Sequence, residues 1–168
     1  MFFNGAHIDS ITVRDRDLWV QVMDFVSYVS RHFETLPKER TVKFDDLTCH
    51  SICRALAINI KDLTLVDGYF LGLTPSSDGV AGSMVIAKCD HSWLVTPDKA
   101  IIDPYPVGFM ATNPVIVGHE SVYTPFGTEL YKASENVTHR VSNRKLFRRS
   151  YVLSKLMATA MRKLKPVR

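Results

Sequence analysis

The hydrophobic period changes twice along this chain of 168 residues, and those changes constrain the fold more than any single residue does. From residue 15 to about 36, Leu18, Val22, Phe25, Val29 and Phe33 recur at steps of three and four. That spacing puts them on one face of an amphipathic helix, which Pro37 ends. The preceding residues, 8 to 14, read as a short strand or extended arm, and 38 to 45 as a charged extended link. A second helix is predicted to run to about Lys61, capped by Asp45, Asp46 or Thr48, with Ile52, Leu56 and Ile60 on its apolar side.

Beyond residue 62 the pattern becomes strand-like. Residues 64 to 71 and 82 to 88 read as strands separated by turn material at 75 to 79, and 91 to 96 and 100 to 103 as two more joined by Pro97-Asp98-Lys99. A Pro- and Gly-rich loop follows from 104 to 114. Residues 114 to 117 are another predicted strand, and 121 to 133 a last strand or irregular loop. Helical spacing returns from 143 to 164 through Leu146, Leu153, Leu156, Met157, Ala160 and Leu164. Helices first, an antiparallel sheet in the middle and a closing helix define an α+β domain. At 46% hydrophobic residues the chain has material for one core. The expected organisation is a single α+β unit over 1 to 140, with a basic helix over 141 to 168 packed on the same domain.

Charge is distributed unevenly. Residues 1 to 135 carry 11 Lys and Arg against 17 Asp and Glu, whereas 136 to 168 carry 10 against none. A basic amphipathic helix at 140 to 168 suits docking on the chain's own acidic domain, an anionic membrane surface or nucleic acid phosphates. No groove-reading motif or aromatic platform favours the nucleic acid. No run approaches the roughly 18 apolar residues of a membrane helix, and the first residues lack the pattern of a cleaved signal. Three cysteines, Cys49, Cys53 and Cys89, are too few and too odd in number for a disulfide framework. A soluble protein with reduced thiols in the cytoplasm is expected.

Chemistry concentrates in two stretches. Thr48-Cys49-His50-Ser51-Ile52-Cys53 opens the second helix, so Cys49 falls in the first turn, where the positive end of the helix dipole favours a thiolate. Cys53 lies a turn further on and feels that field less. Twelve residues separate His91 from Asp103 across the predicted Pro97-Asp98-Lys99 turn, and on antiparallel strands this spacing sets imidazole opposite or diagonal to carboxylate. A nucleophilic thiol needs a lowered pKa, a base within reach and a group to orient that base. Cys49, His91 and Asp103 supply those roles in that order. An oxyanion hole needs the Cys49 backbone amide and one further donor, for which Gln21, the only glutamine, and His50 are the candidates. Tyr69, Trp93 and Tyr105 are expected to line the pocket.

The cysteine helix, the Val-Asp-Gly-Tyr-Phe strand at 66 to 70, His91-Ser92-Trp93 and Asp103-Pro104 together resemble the papain-like superfamily of transglutaminase-like cysteine enzymes, over about residues 46 to 107. The resemblance implies a cysteine-bearing helix packed on a central antiparallel sheet. It further implies Cys49 as nucleophile, His91 as base and then acid, and Asp103 as the orienting carboxylate. The implied activity is acyl transfer through a cysteine thioester, most simply hydrolysis of a peptide or side-chain amide, with no cofactor. Two other readings fit the same residues. Cys49, Cys53, Cys89 and His91 make a conceivable tetrahedral zinc set in a zinc-stabilised domain. Alternatively, an inactive papain-like module binds partners through its basic C-terminal helix.

Overall fold

The computed structural model describes residues 11–32, 48–75, 84–104, 114–118 and 130–134, together with Lys155, Ala158, Thr159 and Arg162. Among the described residues the fold is α+β, with two helices and a five-stranded antiparallel sheet. Helix α1 spans Val13–His32 and α2 spans Cys49–Asn59. The strands are β1 (Thr64–Pro75), β2 (Met84–Val95), β3 (Ile101–Asp103), β4 (Val115–Val117) and β5 (Tyr131–Ala133). Their order across the sheet is β4-β3-β2-β1-β5, so the long β2 strand is central.

Helix α1 starts earlier than its hydrophobic period suggests, and Val13 and Arg14, expected in an extended arm, lie in it. The cause is local: the Thr12 hydroxyl accepts a hydrogen bond from the Asp15 backbone amide at 3.1 Å, which caps the helix there. The same hydroxyl donates to Asp98 at 3.0 Å, tying the helix start to the β2–β3 turn. Trp19 Nε1 donates to the Pro114 carbonyl at 3.2 Å, fixing α1 beside the entry to β4. The residues 1 to 10 lie outside the described set.

The two strands expected at 82 to 88 and 91 to 96 are one. Met84 through Val95 pairs without interruption against β1, from Pro75↔Met84 to Thr64↔Val95. Cys89 and Asp90 separate the two expected strands in the sequence, yet both are interior positions of one strand, with Asp90 exposed. The turn that does reverse the chain is Thr96 to Ala100. Lys99 there adopts a positive φ of 70°, and the Thr96 hydroxyl accepts from the Ala100 amide at 3.0 Å. This is the three-residue hairpin with a left-handed last position.

Alternation gives the sheet two unlike faces. On one, Leu94 and Ile102 pack against Val22, Phe25, Ile52 and Leu56 of the two helices in a continuous apolar core. Burying each such side chain contributes about 1.5 to 3 kcal/mol. On the other, Phe70, Trp93 and Tyr131 form an aromatic cluster with Ile101 and Val117. The closing helix expected over 143 to 164 lies mostly outside the described residues. Lys155, Ala158, Thr159 and Arg162 are helical, with Ala158 buried and the other three exposed. Among the described residues no helix is long and apolar enough to cross a membrane.

Candidate active site

Of the three caps considered for α2, Thr48 is the one used. Its hydroxyl accepts from the Ser51 amide at 3.4 Å, and the Ser51 hydroxyl accepts from the Thr48 amide at 2.9 Å, a reciprocal capping box. Cys49 is therefore the first residue of the helix and His50 the second. Both backbone amides belong to the first turn, which has no acceptors within its own helix.

His91 and Asp103 are completely buried. The register Leu94↔Ile102 and Val95↔Ile101, continued back along β2, sets Trp93 across from Asp103 and His91 one diagonal step away. His91 Nε2 donates to Asp103 Oδ2 at 2.7 Å, and the Tyr131 hydroxyl donates to the same oxygen at 3.0 Å. The imidazole stacks near the Trp93 ring, with centroids 6.3 Å apart, and meets the edge of Phe70 at 6.0 Å. Gly68 is required beside it. A Cβ at that position would lie 2.2 Å from the Lys132 carbonyl oxygen and 2.7 Å from the Trp93 ring.

With Nε2 spent on Asp103, Nδ1 of His91 is buried and has no hydrogen-bond partner of its own. An unpaired buried nitrogen is costly in a purely structural histidine and useful in a base. Its electrostatic neighbour is Cys49. Burial alone pushes the thiol pKa up, but the His50 ring, and then the His91 ring, outweigh burial and bring it down to about 6. Burial likewise opposes charge on His91, whereas Asp103 and then Cys49 raise its pKa to about 9. Between those values thiolate and imidazolium coexist as an ion pair. Cys53 behaves differently: burial raises its thiol pKa well above the ordinary range, and its sulfur donates to the Ser92 carbonyl at 3.1 Å.

A second polar chain lies on the helix face of the same two strands. His50 Nδ1 meets Ser92 Oγ at 2.5 Å, Ser92 Oγ donates to Asp67 Oδ1, and Arg54 Nη2 pairs with Asp67 Oδ2 at 3.3 Å. Arg54 also donates to the His50 carbonyl at 3.0 Å.

Of the residues singled out from sequence, the structure brings Cys49, His50, His91, Asp103 and Trp93 together. Gln21 is exposed on α1, where its amide donates to the Asp17 carbonyl of its own helix at 3.4 Å. Tyr69 sits on the opposite face of β1 from His91, with Lys88 Nζ 3.7 Å above its ring. Tyr105 and the Cys89 side chain lie outside the described residues. No group of three or more His, Cys, Asp or Glu among the described residues is arranged to hold a metal ion. The sequence reading missed Tyr131, Ser92, Asp67 and Arg54. Asp67 and Ser92 did leave a signal, as polar residues two positions from Leu65 and Leu94 and therefore on the same helix-facing side of their strands. Tyr131 left none, because its strand pairs with β1 from far along the chain.

The fold and this geometry define an α+β protein with a helix-borne cysteine coupled to a buried histidine–aspartate pair. Compared with known protein families, curated proteins and solved structures, the chain matches none.

Proposed function

We propose that this protein is a cysteine-dependent acyl-transfer enzyme of the papain-like, transglutaminase-like kind, acting most simply as a hydrolase of a peptide or side-chain amide. The observation that carries this reading is the buried, unpartnered Nδ1 of His91. Its ring is locked by Asp103 through the other nitrogen and coupled to a thiol whose pKa is lowered to about 6.

The chemistry follows from these positions. The ion pair leaves Cys49 Sγ as the nucleophile and the proton on His91. Sulfur attacks the carbonyl carbon, and the developing oxyanion is met by the Cys49 backbone amide at the positive end of α2. The C–N bond then breaks, the amine leaves with a proton supplied within the site, and a Cys49 thioester remains. Water attacks the thioester and returns to the site the proton taken by the amine, the C–S bond breaks, and the thiolate is restored beside the His91 imidazolium. Tyr131 and Asp103 hold the ring in the tautomer that keeps Nδ1 toward sulfur.

The test is to trap the intermediate. The protein is mixed with p-nitrophenyl acetate, quenched in acid within seconds and digested for mass spectrometry. An acetyl group on the Cys49 peptide, missing in Cys49→Ala, is the expected result. Acetylation spread over lysines with Cys49 unmodified would reject the proposal.

A further inference from the structure

The two histidines beside Cys49 are built differently. His91 is sealed, with none of its side chain exposed, and its Nε2 is committed to Asp103. His50 is 23% exposed and is held from behind by a relay on the helix face of the sheet. The direction of that relay fixes its tautomer. Ser92 Oγ gives its proton to Asp67, so it presents a lone pair to His50 Nδ1, which must carry the proton and donate it. Nε2 is then the ring nitrogen left for chemistry, on a partly exposed ring that lowers the Cys49 thiol pKa. The Asp67 carboxylate lies 3.9 Å from Nδ1, and Arg54 anchors that carboxylate.

From this geometry we infer that His50 is a second catalytic histidine, the proton carrier for the departing amine and the incoming water, with Ser92, Asp67 and Arg54 as its positioning residues. The inference rests on the acyl-transfer reading and divides its proton traffic. His91 keeps the thiol's proton: at a pKa of about 9, between thiolate and Asp103, it is a poor donor at neutral pH and has no solvent access. In acylation, His50 Nε2–H gives its proton to the amine nitrogen as the C–N bond breaks, leaving the ring neutral. In deacylation, Nε2 takes a proton from water as the C–O bond forms and the C–S bond breaks, which restores the charged ring and the thiolate. The sum is amide and water to acid and amine, with every proton returned.

An ester separates the two steps. p-Nitrophenolate departs without a proton and the partly exposed His50 ring releases its own to solvent before accepting one from water, so the burst of p-nitrophenyl acetate hydrolysis reads attack by sulfur, and the steady state reads attack by water. Each variant is measured on the plateau of its own pH profile, with far-UV circular dichroism to confirm folding. His50→Gln is expected to keep the burst rate within about threefold and to slow deacylation about 100-fold. Ser92→Ala, which leaves the imidazole but removes its support, should slow deacylation about tenfold and raise the midpoint of Cys49 alkylation by iodoacetamide. Equal loss of burst and steady state in His50→Gln would overturn the assignment, because an oxyanion donor or a structural residue acts on both steps. Unchanged kinetics in His50→Gln would overturn it too. A wild-type protein that shows no burst at all rejects the acyl-transfer reading itself, and the division of protons falls with it.

Discussion

The two faces of the sheet are made from the same strands and do opposite things. On the helix side, Leu94 and Ile102 join the apolar side chains of α1 and α2 in a continuous core, with the His50–Ser92–Asp67 chain beside it. On the other side, three residues along β2 from Leu94 and one along β3 from Ile102, His91 and Asp103 are buried as an interacting pair walled by Phe70, Trp93 and Tyr131. A buried ion pair is not an efficient source of stability, since removing two charges from water costs several kcal/mol per ion before their attraction offsets it. The first face determines where the strands lie. The second uses that rigidity to hold a buried pair whose histidine helps lower the thiol pKa against the opposing effect of burial. Alternation along β2 lets twelve residues serve both purposes.

That contrast is open to attack, beginning at the aromatic face. Asp103→Asn should keep the ring in place but remove the main cause of the raised His91 pKa, lowering acyl transfer about 10³- to 10⁴-fold. Burst kinetics on p-nitrophenyl acetate measure this. The aliphatic face should show the reverse. Leu94→Ala, at a fully buried position, is expected to cost about 2 to 5 kcal/mol of stability by urea unfolding while activity per folded molecule stays near wild type. Activity lost in proportion far beyond the unfolded fraction would mean that the faces are not separable. Gly68→Ala tests the junction. Its Cβ meets a backbone oxygen that cannot swing away, so a loss of about 1 to 3 kcal/mol is expected, with disturbed Trp93 fluorescence.

The smallest effect is on pH dependence. His91, raised on folding from 6.5 to about 9, contributes stability that is complete below pH 6.5 and lost as pH climbs through 9. Cys49, lowered from 9.0 to about 6, contributes stability present above pH 9 and lost as pH falls through 6. Between 6.5 and 9 these slopes oppose, so the pair leaves the wild-type melting temperature nearly level. Cys49→Ala removes one slope, and its melting temperature should fall as pH rises across that window, through the Asp103-supported part of the His91 shift.

The sequence carried the local half of this picture. The three- and four-residue spacing from Leu18 to Val29 marks α1, a choice of caps that includes Thr48 and the Ile52-Leu56 spacing mark α2, and the Pro97-Asp98-Lys99 turn places His91 near Asp103. Each is a short-range signal. What it did not carry is pairing between distant segments. The continuity of β2 depends on twelve partners in β1, so Cys89 and Asp90 look like a break until their neighbours are known. Tyr131 reaches Asp103 from a strand whose register is set against β1, not by its own pattern. The relay from His50 through Ser92 to Asp67 joins a helix to two strands, and no one-dimensional period records it. Thr12 extended α1 by a hydrogen bond that hydrophobic spacing does not reveal.

The central claim is that Cys49 is ionised by its histidines well below the range of a free thiol, about 8.5. The most direct measurement is the rate of Cys49 alkylation by iodoacetamide from about pH 4 to 9, read by mass spectrometry, in the wild type and in His91→Ala. The account predicts a midpoint near 6 in the wild type and a clear upward shift in the variant. A wild-type midpoint near 8.5, unmoved by the substitution, would contradict it.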